Sequence, residues 1–247
     1  MRREHHSDDR RTKRVVWIPK TELGKKVANK EITDLDQIYA SGKKVLEPQI
    51  VEFLLPNLKE NVLSISSTQR MTACGRKQQM KAVVLVGNFN GYVGIGVGKA
   101  AEVKQAINEG ILDAKKNLIK VNFGCGSWEC SCGTQHSIDQ EFVGRNSSTQ
   151  ITLKPAPRGV GVVAGDVARQ VLQFAGVKDV WTFTKGRTRN KLNMAMAVVN
   201  ALNASNNLKK GKMQYPVEIP EEKVAEQKIV EEAKTETSEE EKPAQAA

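Results

Sequence analysis

Histidine is the scarcest chemically versatile residue of this 247-residue chain: His5 and His6 stand together near the start, and His136 stands alone among cysteines. A hydrolase needs a base beside a nucleophile, and no triad can be drawn from these three. Cysteine is nearly as rare, with four in all and three of them within eight positions. That grouping does not suit a secreted disulfide framework; it suits a metal site or free thiols. Long apolar runs are missing as well. None reaches the roughly 18 residues of a membrane span, and the Arg-rich start lacks the apolar stretch of a secretory signal. The expectation is a soluble, intracellular protein with no membrane partner. Nucleotide-binding loops are absent too. Gly98-Lys99 precedes a helical pattern, but a Walker A loop needs glycine where the chain has Val93 and Ser or Thr where it has Ala100. Gly94-x-Gly96-x-Gly98 is not G-x-G-x-x-G either, so an ATPase or dehydrogenase is disfavoured.

What is present is positive charge. The chain carries +10 overall, and Val217 to Ala247 holds ten Glu against four Lys, which leaves +16 on the rest. A body that basic implies nucleic acid. The length allows two cored domains plus extensions. Residues 1–14 hold six basic residues and almost nothing apolar, so they read as a flexible arm, and His5 and His6 as a solvated pair. Residues 15–60 read as a helical extension. Thr33 to Asp36 is a capping-box pattern, Gly42 a stop, Pro48 a first helical residue, and Pro56 lies past the end. Residues 211–247 read as a disordered acidic tail.

The organising stretch is Arg70 to Val121. Val62 to Thr68 reads as a first strand and Met80 to Gly87 as a buried second one. Asn90-Gly91 suits a tight hairpin, and the chain returns as Tyr92 to Val97. Gly94, Gly96 and Gly98 fall on one face of the returning strand. Their missing side chains admit either the following helix or a sugar-phosphate backbone, and both readings stay open. That helix, Ala100 to Leu118, carries Val103, Ile107, Ile111, Ala114 and Leu118 at helical spacing. From Arg70 to Lys120 nine basic residues face three acids. The candidate RNA contacts are Arg70, Gly75, Arg76, Lys77, Lys81, Lys99, Lys104, Lys115, Lys116 and, further on, Arg158. The first four lie in a segment, Gln69 to Lys77, that reads as a loop between strands.

Residues 124–136 form a linker of unusual composition. Cys125, Cys130, Cys132 and His136 supply three thiolates and one imidazole, the ligand set of a closed tetrahedral zinc site, although Cys-x-Cys is cramped beside standard knuckles. One zinc ion and reduced cysteines in an ordered turn are the two readings. Residues 137–210 then read as an α/β domain. Ser137 to Val143 and Ser148 to Lys154 are paired strands around Gly144-Arg145-Asn146. Arg158 to Gly161 is a glycine loop, and Asp166 caps a helix carrying Val167, Val171, Leu172 and Ala175. A strand from Lys178 to Thr184 and a helix with Leu192, Met196, Val199 and Leu202, capped near Asn190, complete it; Met194 and Met196 read as core.

The motif from Val86-Gly87 through Asn90-Gly91-x-Val93-Gly94-x-Gly96-x-Gly98-Lys99-Ala100 resembles the first domain of the small-subunit ribosomal protein S-five family. Pro155-Ala-Pro-Arg-Gly-Val-Gly161, Val163-Ala-Gly165 and the helix to Gly176 resemble its second domain. Val16 to Gly24 resembles the extension of archaeal and eukaryotic members, and the Gly124 to Cys130 segment resembles the archaeal type. The resemblance implies an α+β fold: a β-β-β-α domain (residues 61–123) similar to double-stranded-RNA-binding folds, then a β-α-β-α sandwich domain. It also implies a structural, non-enzymatic component of the small ribosomal subunit in the cytoplasm. Its partners would be small-subunit ribosomal RNA, messenger RNA near the entry path, and the neighbouring ribosomal proteins S-four and S-three, with an influence on decoding accuracy through the Gly75-Arg76-Lys77 segment. The alternative is a free-standing structured-RNA-binding regulator, which has no reason to carry the second block.

Overall fold

β-Branched residues and alternation carry the chain from Lys59 to Ala100 as three consecutive antiparallel strands: β1 (Lys59–Thr72), β2 (Gly75–Gly87) and β3 (Tyr92–Ala100). The structure, a computed structural model, describes residues 17–207. The basic arm and the acidic tail expected from composition lie outside the described residues.

Three short helices precede the sheet: α1 (Glu22–Ala28), α2 (Leu35–Ala40) and α3 (Pro48–Leu54). Thr21 caps α1 by accepting from the Gly24 amide, and Pro48 opens α3 as expected. The capping box at Thr33 to Asp36 does not form; Asp34 is the cap residue and makes no side-chain cap bond. The extension buries Val27, Ile38, Ile50 and Val51 in a cluster with Leu118 of the first domain. Tyr39 donates to the Leu118 carbonyl at 2.9 Å and Tyr92 to Asp36 at 2.6 Å, and Lys120 pairs with Asp36.

After β3 comes α4 (Val103–Lys116), then β4 (Leu118–Lys120), giving an antiparallel sheet in the order β1-β2-β3-β4. The sequence pattern ran the helix to Leu118 and missed β4, because a three-residue strand has too short a period to register. Most of the expected stripe does pack inward, with Ala114 and Leu118 buried and Ile107 and Ile111 partly so, but the closest contact is made by the small residues. Ala106, Gly110 and Ala114 are buried, whereas Val103 is exposed. The reason lies opposite, in Gly94, Gly96 and Gly98. A Cβ on Gly96 would stand 2.1 Å from the Gly110 carbonyl oxygen, and one on Gly98 would stand 1.9 Å from that of Ala106. Helix and sheet approach backbone to backbone. The glycine face is therefore filled by α4 and offers no bed for a sugar-phosphate chain.

The second sheet comprises β5 (Phe142–Asn146), β6 (Thr149–Pro155), β7 (Val162–Val163) and β8 (Val180–Lys185), in the order β5-β6-β8-β7 with β7 parallel to β8. Helices α5 (Asp166–Ala175) and α6 (Lys191–Ala204) complete the domain. Four local expectations are corrected here. Ser137 does not start a strand pair with β6; it forms a bridge with Gly124, and β5 runs through Gly144 to Asn146, where a turn was expected. Gly144 lies in the strand because α6 passes over it: a Cβ there would meet the Ala197 carbonyl oxygen at 2.1 Å. Gly165, not Asp166, is the cap residue of α5, and Asp166 is its first helical residue, where a carboxylate still favours the dipole. Asn190 caps α6 as expected. Met194 is core, but Met196 is 36% exposed.

One apolar core joins Leu63, Val83, Leu85, Val93 and Ile95 of the first sheet to Leu153, Val171, Leu172, Val198 and Leu202 of the second domain. The α5 end closes this contact: Phe89 and Gly91 of the β2–β3 hairpin donate their amides to the Phe174 and Ala175 carbonyls at 3.1 and 2.9 Å. Those carbonyls would otherwise lack partners in the last helical turn.

Candidate nucleic-acid interface and candidate metal centre

The segment Gln69 to Lys77 is no loop. β1 and β2 continue as a paired ribbon until Thr72 faces Gly75, so only Ala73 and Cys74 make the turn. Gly75 has φ +114°, with open space where a Cβ would be. Cross-strand pairing sorts the cations by face. Arg70 faces Lys77, and Lys81 faces Lys99. Alternation puts Lys77 and Lys81 on the same side of β2 as Val83 and Leu85, the side that packs on the second domain. Along β2 that face changes from apolar to basic as it leaves the core. Arg76 pairs with Met71 and projects from the opposite face, the one that carries α4.

Arg70, Arg76, Lys77, Lys99, Lys104, Lys116 and Arg158 are exposed, and Lys81 is half-buried. Among the described residues none of these eight forms an ion pair. Like charges directly opposite one another in a sheet are destabilising. Arg70 with Lys77 and Lys81 with Lys99 thus form a surface that an anion would relieve.

Lys115 departs from this set. It is 8% exposed, and its ammonium lies 2.9 Å from Glu52 and 3.1 Å from Glu60. Burial alone would lower its pKa, but the bonds to Glu52 and Glu60 outweigh that and raise it. Lys115 is a structural cation tying α4 to α3 and β1. Sequence reasoning also passed over cations of the second domain: Arg169, Arg189 and Lys191 line a cleft of about 790 Å³ that opens beside Leu63. Arg169 stands on α5, whereas Arg189 and Lys191 belong to the basic run Lys185 to Lys191 that leads into α6, a local signal that could have marked them.

The linker cysteines converge. Donor atoms of Cys125, Cys130, Cys132 and His136 all lie within 4.8 Å of one another. Cys125 Sγ is 3.6 Å from Cys132 Sγ, and Cys130 Sγ is 3.6 Å from His136 Nε2. Tetrahedral zinc with bonds of about 2.3 Å to sulfur sets neighbouring ligands roughly 3.7 Å apart, so the spacing fits. Cys74, exposed on the ribbon turn, takes no part. Without an ion, the Cys132 thiol is pulled down to about 6 by the hydroxyl and backbone of Thr134. Burial, then the neighbouring thiols, push Cys125 up to about 12. A bound cation would reverse the second shift, because a coordinating thiol is deprotonated outright.

The ring of His136 is held from behind by a residue the sequence did not single out. Asp179 Oδ2 is 2.7 Å from His136 Nδ1, and both side chains are almost fully buried. The other oxygen, Oδ1, accepts the amides of Gly159 and Gly161 at 3.1 and 2.8 Å. With the carboxylate in an acceptor role throughout, Nδ1 donates and Nε2 keeps its lone pair for the thiol side. Asp179 is 43 residues from His136 in the chain, beyond any spacing rule.

Fold and site together define a basic two-domain α+β protein with exposed cations along and beside a glycine-packed sheet. Known sequences agree with that class. Residues 58–122 match the family described as Ribosomal protein S5, N-terminal domain, and residues 144–213 match Ribosomal protein S5, C-terminal domain. The small ribosomal subunit protein uS5 of Methanoregula boonei is 50% identical over 196 residues, covering 79% of this chain and 96% of its own length. That of Methanocaldococcus jannaschii is 54% identical over 190 residues, 77% of this chain and 88% of its own. That of Pyrobaculum aerophilum is 52% identical over 187 residues, 76% and 86%. The chain belongs to the ribosomal protein S5 family. The likeness to archaeal members, the α+β class and the two-domain order all agree with the sequence reading.

Proposed function

We propose that this chain is a structural component of the small ribosomal subunit, working in the cytoplasmic ribosome. It would hold small-subunit ribosomal RNA by neutralising phosphates with Arg70, Arg76, Lys77, Lys81, Lys99, Lys104, Lys116 and Arg158, while sheet and helix match the shape of folded RNA. The observation that carries this reading is the presence of both family domains, in order, in a chain about half identical to small-subunit proteins over most of their length. The finer assignment follows the family resemblance: a place along the messenger RNA entry path, beside ribosomal proteins S-four and S-three, with an influence on accuracy. A free-standing RNA-binding regulator would have no use for the second domain, whose core is continuous with the first. Tagged full-length chain should co-sediment with small subunits through a high-salt cushion. Recovery in the soluble fraction, with resident subunit proteins retained, would instead favour the regulator.

The linker cluster is proposed to hold one zinc ion. The donor set of three sulfurs and one imidazole, at tetrahedral spacing, supports it. A closed site of this kind adds stability to the linker between the domains and supplies no reaction. Protein purified without chelator should carry about one zinc per chain, and Cys130→Ser should lower both zinc content and melting temperature. No stoichiometric zinc, together with unchanged melting of Cys130→Ser, would leave the cysteines as packing residues.

A further inference from the structure

The glycine loop that carries Arg158 hangs on the same carboxylate that orients the metal-site histidine. Gly159 and Gly161 have φ +95° and +75°, and a Cβ on either would meet nothing within 4 Å. Packing therefore does little to fix these two positions. Their amides are fixed by Asp179 Oδ1, assisted by a bond from the Val180 amide to the Gly161 carbonyl at 3.2 Å. Asp179 in turn is set by His136 twice over: Nδ1 meets Oδ2, and the His136 carbonyl accepts the Lys178 and Asp179 amides at 3.0 and 3.2 Å.

We propose that the Cys125/Cys130/Cys132/His136 cluster, when it binds metal, latches the Pro157–Gly161 loop through Asp179, so that metal occupancy decides how firmly Arg158 is presented to an anionic partner. This rests on the zinc reading of the cluster. Coordination at Nε2 withdraws electron density from the ring and strengthens the Nδ1–H bond to Asp179, which freezes the carboxylate that both loop amides need. Without metal the buried imidazole would keep only the weaker bond of a neutral ring to Asp179, and the loop amides would be held less firmly. Coupling between two sites is reciprocal, so an anion seated on the loop also tightens metal binding. Asp179 is a positioning residue in this scheme, since it touches neither metal nor partner.

Two measurements on the full chain test the latch. Zinc affinity is first read by competition with a chromophoric chelator, for the unaltered chain and for Asp179→Asn. Asp179→Asn is expected to weaken zinc about 10- to 100-fold, the range for losing a partner of a metal-bound histidine. Amide hydrogen exchange is then compared between the zinc-loaded and chelated unaltered chain, a comparison that needs no variant to fold. Gly159 and Gly161 should lose protection on chelation, while α5 amides such as those of Val171 and Leu172 stay unchanged. If zinc binds but the two glycine amides exchange equally in both forms, the latch is wrong and the zinc reading survives. If the unaltered chain binds no zinc in the first step, the zinc reading itself fails and the latch falls with it.

Discussion

Gly98→Ala is expected to be among the most damaging single substitutions in this chain, lowering the free energy of unfolding by about 3 kcal/mol or more, the upper end for overpacking. The added methyl would stand 1.9 Å from the Ala106 carbonyl oxygen and 2.4 Å from the Gly110 amide nitrogen. Both are helix backbone atoms and cannot rotate aside as a side chain would. Either α4 lifts off the sheet, exposing Ala106 and Ala114, or β3 bends away from β2. Gly165→Ser is the companion measurement. Its Cβ would meet nothing within 4 Å and Ser is a favoured cap, so it should unfold within about 0.5 kcal/mol of the unaltered chain. Urea midpoints of the two variants decide the matter. Had the glycine face been an RNA bed, Gly98→Ala would unfold normally and lose only RNA affinity.

The second large effect is on RNA binding. If six of the exposed cations each neutralise one phosphate, the log-log dependence of affinity on salt should have a slope of roughly −5, and affinity should fall about 10³-fold between 50 and 200 mM salt. Filter binding of the full chain to a structured RNA, repeated across salt, reads this directly. Replacing Arg70, Lys77, Lys81 and Lys99 by Gln together should flatten the slope by roughly 3 to 4, near one unit for each phosphate no longer neutralised. Lys115→Gln should leave the slope alone, because its ammonium is already held by Glu52 and Glu60. That substitution would show itself in stability instead, as the buried side chain at this position loses both charged hydrogen bonds. A slope near zero, or an equal flattening by Lys115→Gln, would contradict the division made between surface cations and the structural one.

The contrast between Lys115 and Lys77 shows where sequence reading stops. Both stand next to another cation in a basic stretch, and composition treats them alike. What separates them is Glu52 and Glu60, 63 and 55 positions earlier in the chain, which only the packing of α3 and β1 against α4 brings within 3 Å or so. The ribbon at Gln69 to Thr72 has the same cause. Its polar residues pass for a loop because no face of it is buried, yet pairing with Gly75 to Gln78 holds it as strand. Periodicity reports burial, and an exposed ribbon has none to report.

The sequence by itself determined the class of protein, the order of its two domains, the buried strand Met80 to Gly87 with its Asn90-Gly91 turn, and the identity of four metal-type ligands, since each rests on neighbouring residues or on net charge. Which partner fills the glycine face was decided only in three dimensions, because an absent side chain leaves space without saying what enters it. The inward face of α4 follows from that choice: small residues must meet the glycines, so Ala106, Gly110 and Ala114 displace the larger Val103 from the interface. The bond from His136 to Asp179, and through it to Gly159 and Gly161, was likewise invisible in one dimension. A buried carboxylate finds its donors wherever folding brings them, and here folding joins residues 18 to 43 positions apart.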